Sequence, residues 1–317
     1  MTHNTIPLSQ ARPPSGLQLP LTLKWRRCRD MPCAMSCPQS VTVRRKVFVG
    51  GGYTNSLSGD DGCTVYEYDE DSNQWVSLPP YNWWRFAMTI LTDKLTVVGG
   101  FNTSTEKVTN QVAVWEGEGM PRGWTHPYPP MTTPRFGPAV ATYGDRLVVA
   151  GGYDHDPLPT VEVLNTTSYQ WLSASPLPVG CAQMTSAIVN QELFLLGGTL
   201  TTKMLVVSLP DITRTCVHST TTTRSAQWHT LPAPPLTNSA AISLHGSILA
   251  IGGYHDDDSS TAIHIYHPAT NNWYKVGDLP CPRSECSCTL LHSGHILVAG
   301  GLESNGERIS RVDIATL

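Results

Sequence analysis

A glycine pair recurs six times along this chain of 317 residues, each time directly after a short apolar run. The first glycines of successive pairs lie 48, 52, 46, 55 and 48 residues apart. Apolar runs of three or four residues are typical of buried strands and are too short for helices. A period near fifty residues indicates one structural unit repeated along the chain. The pairs are Gly51–Gly52, Gly99–Gly100, Gly151–Gly152, Gly197–Gly198, Gly252–Gly253 and Gly300–Gly301.

Each repeat contains the signals of four strands. A polar turn such as Tyr143–Gly144–Asp145–Arg146 precedes the apolar run and connects it to an earlier strand. After the glycines come a polar loop, a third strand, a tryptophan and a Pro-rich turn. The third-strand residue and the tryptophan occur five times in order, as Tyr66 and Trp75, Trp115 and Trp124, Val163 and Trp171, Val207 and Trp228, and Tyr266 and Trp273.

This arrangement resembles the kelch-repeat family, and the resemblance covers residues 22–317. It implies an all-β fold, a six-bladed β-propeller with four antiparallel strands in each blade. Glycines at the end of a strand allow close backbone approach, and the tryptophan supplies an apolar plate between blades. We therefore expect a flexible tail over residues 1–20 and a single propeller domain over residues 21–317.

The count of repeat parts predicts how the ring closes. Six glycine pairs are followed by five tryptophans, because the chain ends just after a third strand at Arg311–Ile314. An unassigned tryptophan, Trp25, lies near the other end in Leu21–Trp25. The N-terminal strand should therefore complete the sixth blade, which removes an exposed sheet edge. The fourth repeat departs most from the pattern, with a Thr-rich insertion over residues 211–223.

Composition excludes several classes of partner. The net charge is −4 and the longest basic run is Arg44–Lys46, so the electrostatic signature of nucleic-acid binding is missing. No apolar segment approaches the length needed to cross a bilayer, and Met1–Gln10 does not resemble a signal peptide. We expect a cytoplasmic monomer that binds neither nucleic acid nor membranes.

Two groups of residues could be interpreted as metal sites. Cys28, Cys33 and Cys37 should lie beside Cys281, Cys286 and Cys288, but none of their spacings is typical of structural zinc. Asp154–Asp156 and His255–Asp258 could bind a hard cation, but both occur where the repeat requires a polar loop. Buried thiols and solvated loop charges are the favoured interpretations, and no metal or cofactor is predicted.

The resemblance implies a recognition surface at one mouth of the propeller channel. In related propellers that bind peptides, residues after the glycine pairs and arginines before the first strand meet there. Aromatic and arginine side chains are typical of binding hot spots, and arginine suits an acidic segment. Trp83 and Trp84 are additional to the repeat and are expected to be exposed. The candidates are Tyr53, Asn55, Trp84, Arg85, Phe101, Asn102, Arg135, Tyr153, Asp154, Tyr254, His255 and Arg283.

Alternative roles remain open at this stage. The aromatics after the glycines could instead pack between blades. The family often supplies substrate recognition for cullin-type ubiquitin ligases or scaffolds actin and signalling assemblies, but the usual BTB and BACK domains are not expected in a chain of this length. We expect a protein-interaction module without catalysis. The alternative that the resemblance allows is a carbohydrate-modifying enzyme of the sugar-mutarotase type, using His and Arg at the mouth.

Overall fold

The computed structural model describes residues 22–54, 64–102, 105–117, 123–214, 226–255 and 258–316. Six four-stranded antiparallel sheets follow one another along the chain and confirm the predicted all-β, six-bladed propeller. Among these residues, the one helix, Leu209–Arg214, begins two residues before the predicted insertion of the fourth repeat, and residues 215–225 lie outside the description. No described helix is long and apolar enough to span a membrane.

The first three blades have their four strands in chain order, from the channel to the rim. Blade 1 contains Gln39–Val43, Lys46–Gly50, Val65–Asp69 and Gln74–Ser77. Blade 2 contains Ala87–Leu91, Lys94–Val98, Val112–Glu116 and Gly123–Thr125. Blade 3 contains Ala139–Tyr143, Arg146–Ala150, Val161–Asn165 and Gln170–Ala174.

The other three blades repeat this order, except that the outer strand of the last blade comes from the other end of the chain. Blade 4 contains Thr185–Val189, Glu192–Gly197, Leu200–Ser208 and His229–Pro232. Blade 5 contains Ala240–Leu244, Ser247–Ile251, Ala262–His267 and Asn272–Asp278. Blade 6 contains Ser287–Leu290, Ile296–Ala299, Val312–Thr316 and Lys24–Arg27.

Within the described ranges, four short two-stranded sheets lie outside the blades, beside the glycine pairs. Each pairs a segment that follows a glycine pair either with the approach to the first strand or with the loop beyond it. The paired segments are Met35–Ser36 with Tyr53–Thr54, Phe101–Asn102 with Lys107–Val108, Tyr153–Asp154 with Asp156–Pro157, and Tyr254–His255 with Asp258–Ser259.

The N-terminal strand closes the ring as predicted. Trp25 pairs with Ala315 and Arg27 with Asp313 in the antiparallel register of blade 6. The connection that follows continues the contact, because the backbone N–H of Cys28 donates to the Val312 carbonyl at 2.9 Å. Leu23 and Trp25 pack against the buried cluster shared by blades 5 and 6. The sixth blade is therefore a composite of both chain ends.

The tryptophans of the outer strands join neighbouring blades by a repeated hydrogen bond as well as by packing. In blade 6, Trp25 Nε1 donates to the Asp278 carbonyl of blade 5 at 3.0 Å. The same bond recurs in the other five blades, from Trp75 to Arg29, Trp124 to Pro79, Trp171 to Pro129, Trp228 to Ser175 and Trp273 to Pro232. The single N–H donor of each indole is thus bonded to a backbone carbonyl of the preceding blade, as a partly buried tryptophan requires.

The glycine pairs are the inner joints between blades. Gly252 has a φ of +62°, and a Cβ there would lie 2.2 Å from the Arg283 carbonyl oxygen of the next blade. Its neighbour Gly253 donates its N–H to that same carbonyl at 2.9 Å. Only glycine tolerates a positive φ together with so close an approach, and the same geometry recurs at Gly99 and Gly151.

Candidate binding site at the channel mouth

The first strands of the six blades enclose a central channel with a volume of about 570 Å³. At one end it is rimmed by the residue two positions before each first strand, a set that we call the mouth ring. Every member has a left-handed φ between 51° and 60°. The mouth ring consists of Cys37, Arg85, Gly137, Gln183, Asn238 and Glu285.

Backbone hydrogen bonds hold the mouth ring together. The N–H of Cys37 donates to the Glu285 carbonyl at 2.8 Å, and Glu285 donates in turn to the Asn238 carbonyl at 3.0 Å. Gln183 and Gly137 continue the pattern, each donating to the ring residue of the preceding blade. Because the left-handed backbone is fixed by these bonds, the side chains of the ring have a defined position at the channel mouth.

An aromatic cluster covers one side of this mouth. Tyr53 meets Trp84 edge to face with ring centroids 4.7 Å apart, and Trp84 meets Phe101 in the same geometry at 5.6 Å. Phe101 then contacts Phe136 at 5.7 Å, and Phe136 contacts Tyr153 at 5.2 Å. The five residues, which we call the aromatic arc, belong to blades 1–3. The corresponding positions of blades 4–6 carry Ala182, Thr199, Thr237, Tyr254, Ser284 and Leu302.

Arg85 lies between two members of the aromatic arc. Its Cζ atom is 4.4 Å from the ring centroid of Tyr53 and 4.6 Å from that of Phe136. Rings at this distance from a guanidinium attract its charge and restrict the rotation of the side chain. No ion pair joins Arg85 to a carboxylate among the residues that the structure describes. Arg85 is therefore a positioned, half-buried cation with no acidic partner from this part of the chain.

A carboxylate lies on the other side of Cys37 in the mouth ring. The Cys37 thiol donates to Glu285 Oε2 at 3.3 Å. Burial raises the pKa of this thiol far above its usual range, the charge of Glu285 raises it further, and Arg85 and Arg308 act in the opposite direction. The thiol therefore stays protonated. Burial likewise raises the pKa of Tyr53, while the Arg85 charge lowers it.

Two predicted contact residues do not lie at the mouth, and the prediction is wrong for both. Arg135 and Arg283 have no exposed surface. Arg135 Nη2 binds Glu162 at 2.5 Å and Arg283 Nη2 binds Asp313 at 2.5 Å, each acid lying on the third strand of the same blade. A buried, paired arginine cannot reach a partner. These two residues are part of the blade architecture.

The prediction failed because the three arginines occupy two different positions of the repeat, two residues apart. Arg85 is two residues before its first strand, but Arg135 and Arg283 are four residues before theirs. The position four residues before the first strand is part of the core in the other blades too. It carries Met35, Cys181 and Leu236, all at most 4% exposed, and the half-buried Trp83. Alignment of the six repeats on their first strands would have separated the two kinds of arginine.

The remaining predicted residues have different surroundings. Trp83 and Trp84 are half-buried rather than exposed, because Trp83 packs on the core of blades 1 and 2. Asn102 donates to the Asn82 carbonyl in the connection before blade 2 at 3.0 Å and accepts from the Thr105 N–H of its own loop at 2.9 Å. Asp154 is half-buried beside the exposed His155. Tyr254 and the exposed His255 lie on blade 5, away from the aromatic arc, and Asn55 lies outside the described residues.

Sequence reasoning missed Cys37, Phe136, Glu285 and Arg308 in this site. Position in the repeat could have indicated three of them, because Cys37 and Glu285 belong to the mouth ring and Phe136 directly precedes Gly137. No disulfide joins the seven cysteines that the structure describes. Within the described ranges, no group of three or more His, Cys, Asp or Glu side chains is placed to bind a metal ion.

The comparison with protein families decides the identity of the fold. The KLHDC2/KLHL20/DRC7 Kelch-repeats domain matches residues 85–301, which is more than half of the chain, and the Kelch motif matches residues 34–81. The chain belongs to the kelch-repeat family. As a kelch propeller, it has the glycine pairs, outer tryptophans and composite last blade described above.

Individual relatives are distant and longer than this kelch chain. Kelch-like protein 23 of Mus musculus is 22% identical over 262 residues, covering 80% of this chain and 43% of its own length. Kelch-like protein 36 of Rattus norvegicus is 24% identical over 288 residues, covering 84% and 44%. The chain therefore spans less than half the length of these relatives. The structure of YjhT has 15% identity and a TM-score of 0.71 over 90% of this chain and 95% of that one, which shows a shared fold.

Proposed function

We propose that this kelch propeller is a protein-interaction module that binds an acidic segment of a protein partner at the channel mouth, without catalysis of its own. The observation that carries the proposal is Arg85, a half-buried cation held between Tyr53 and Phe136 with no described carboxylate partner. A guanidinium in contact with aromatic rings can still donate from the N–H groups at the edge of its plane. That geometry suits two parallel bonds to a carboxylate.

The aromatic arc supports a protein partner rather than a free ion. Half-buried aromatic rings at a concave mouth provide apolar contact area with little loss of side-chain entropy, as in interface hot spots. Tyr53, Trp84, Phe101 and Tyr153 of the predicted set contribute to this surface, together with Phe136. A substrate-recognition or scaffold subunit would use such a surface to hold one segment of its partner.

The alternative of a carbohydrate-modifying enzyme receives less support. A His and Arg pair at the mouth was expected for that activity, and the described residues that line the channel include Arg85 but no histidine. The acid at the mouth, Glu285, is hydrogen-bonded to a protonated thiol. We therefore assign the mouth to binding.

The test is the affinity of selected peptides for wild type and an Arg85→Gln variant. Random dodecapeptides displayed on phage are selected on the wild-type propeller, and the dissociation constants of the best synthetic peptides are measured by fluorescence anisotropy. Hydrogen bonds to charged groups contribute about 1.5–3 kcal/mol, so we expect Arg85→Gln to weaken binding by about 10- to 100-fold. Gln183 has a φ of 60° at the same ring position, so the substitution suits the backbone.

The matched control is Arg45→Gln. Arg45 is exposed in the turn between the first two strands of blade 1, at the opposite end of the channel, and its loss should leave affinity unchanged. Equal affinities for wild type and Arg85→Gln would refute binding at the mouth.

A further inference from the structure

We infer that the partner segment carries a basic side chain as well as an acidic one, and that the mouth ring sets their order. The inference rests on the proposed binding function and names the chemistry of its ligand. It follows from two opposite charges, Arg85 and Glu285, that lie on either side of Cys37 in one ring.

Both charges are without a described partner of opposite sign. Glu285 is half-buried and forms no ion pair with any basic residue of the described chain; the side-chain bond that the structure gives it comes from the neutral Cys37 thiol. Arg85 contacts rings and no described carboxylate. A charge that loses water without gaining a partner is destabilising. Two such charges flanking Cys37 are the arrangement expected of a site that is completed by a ligand.

Arg308 forms no ion pair with Glu285 among the described contacts. It lies on the loop of blade 6, with its Cζ atom 6.0 Å from the Tyr53 centroid, and its charge acts on Cys37 in the same direction as that of Arg85. The mouth therefore has two cations near Tyr53, Arg85 before blade 2 and Arg308 on blade 6, and the ring carboxylate Glu285 on the other side of Cys37 from Arg85. A purely acidic segment would be attracted by the cations and repelled by Glu285.

The ring also fixes the direction of the segment. Gly137, Gln183 and Asn238 fill the rest of the mouth ring with uncharged residues, so Arg85 and Glu285 are its charged members. The acidic side chain must lie over blade 2, beside the aromatic arc, and the basic side chain over blade 6. Electrostatic complementarity of this kind selects partners and orients them. An extended chain rises about 3.3 Å per residue, so an acid and a base a few residues apart can reach the two ring positions that flank Cys37.

The experiment compares random dodecapeptide pools selected on four proteins: wild type, Arg85→Gln, Glu285→Gln and the double variant Arg85→Glu/Glu285→Arg. All four keep residue types that this ring already holds in the left-handed backbone. The double variant has the same composition as wild type. Melting curves establish that each variant is folded before selection.

We expect the wild-type pool to be enriched in peptides with an acid and a base in one fixed order. Glu285→Gln should remove the enrichment of the base and weaken wild-type peptides about tenfold, Arg85→Gln should remove the enrichment of the acid, and the double variant should reverse the order. The same base content in the wild-type and Glu285→Gln pools would overturn this inference and leave the proposed function standing. The same acid content in the wild-type and Arg85→Gln pools, or no enrichment on wild type, would overturn the proposed function itself.

Discussion

Removal of residues 1–28 should abolish the cooperative thermal transition of the propeller. The deletion removes the outer strand Lys24–Arg27 and its pairing with Val312–Thr316, along with the Trp25 bond to blade 5. Truncation of a packed tryptophan alone costs about 3–5 kcal/mol, and a whole domain is stable by only about 5–15 kcal/mol. Loss of the complete strand also exposes the edge of Val312–Thr316, which promotes aggregation.

The measurement is the circular dichroism melting curve together with the soluble fraction after expression. The control deletes residues 1–18, which leaves Leu23, Trp25 and the strand in place, and should melt within a few degrees of the full chain. A synthetic peptide that spans residues 19–33 should restore solubility to the longer deletion by replacing the strand. If both deletions melt like the full chain, closure by this strand does not stabilise the ring.

Substitution of one buried acid should destabilise the protein far more than substitution of an exposed one. Glu162 accepts from Arg135, which is 0% exposed, and from the backbone N–H groups of Thr132 and Thr133 at 2.7 and 3.1 Å. Removal of one partner of a buried ion pair leaves the other charge uncompensated and costs about 3–5 kcal/mol. We expect Glu162→Gln to lower the free energy of unfolding by that amount in urea titrations.

The chain contains a matched control for this substitution. Glu116 binds Lys94 at 2.7 Å, but the two side chains are 31% and 48% exposed. Exposed pairs contribute about 0–1 kcal/mol, so Glu116→Gln should have little effect. In a double-mutant cycle, Arg135→Met with Glu162→Gln should recover part of the loss, because the uncompensated charge is gone. Similar losses for Glu162→Gln and Glu116→Gln would contradict the buried role of Arg135.

The fold was predictable because its signals are local and repeated. Each glycine pair marks the end of a second strand, and the mismatch between six pairs and five tryptophans located the closing strand at Trp25. The tryptophan hydrogen bonds were not predictable, since their acceptors are backbone carbonyls of the preceding blade, such as Asp278. Their positions depend on how two blades pack and not on the sequence of either one.

The site was predicted only in part, because its residues meet through the ring and not along the chain. Tyr53, Phe101 and Tyr153 were found since they follow glycine pairs, and Arg85 was found as an arginine before a first strand. Arg135 also precedes a first strand, but it lies two positions earlier in the repeat, and its side chain is buried in an ion pair with Glu162, 27 residues further on. The position of Glu285 in the repeat places it in the mouth ring, but its contact with Cys37 depends on the closure of blade 6 against blade 1.

The location of the bound segment is tested most directly by hydrogen exchange with and without a selected peptide. We expect slower exchange in the approach and glycine-pair segments of blades 1–3, at residues 83–86, 99–102, 135–137 and 151–154. The turns at the opposite end of the channel, at residues 44–46, 92–94 and 190–192, should exchange at unchanged rates. Protection confined to those turns or to the outer strands, with the mouth unaffected, would contradict the assignment of the aromatic arc and Arg85 as the binding site.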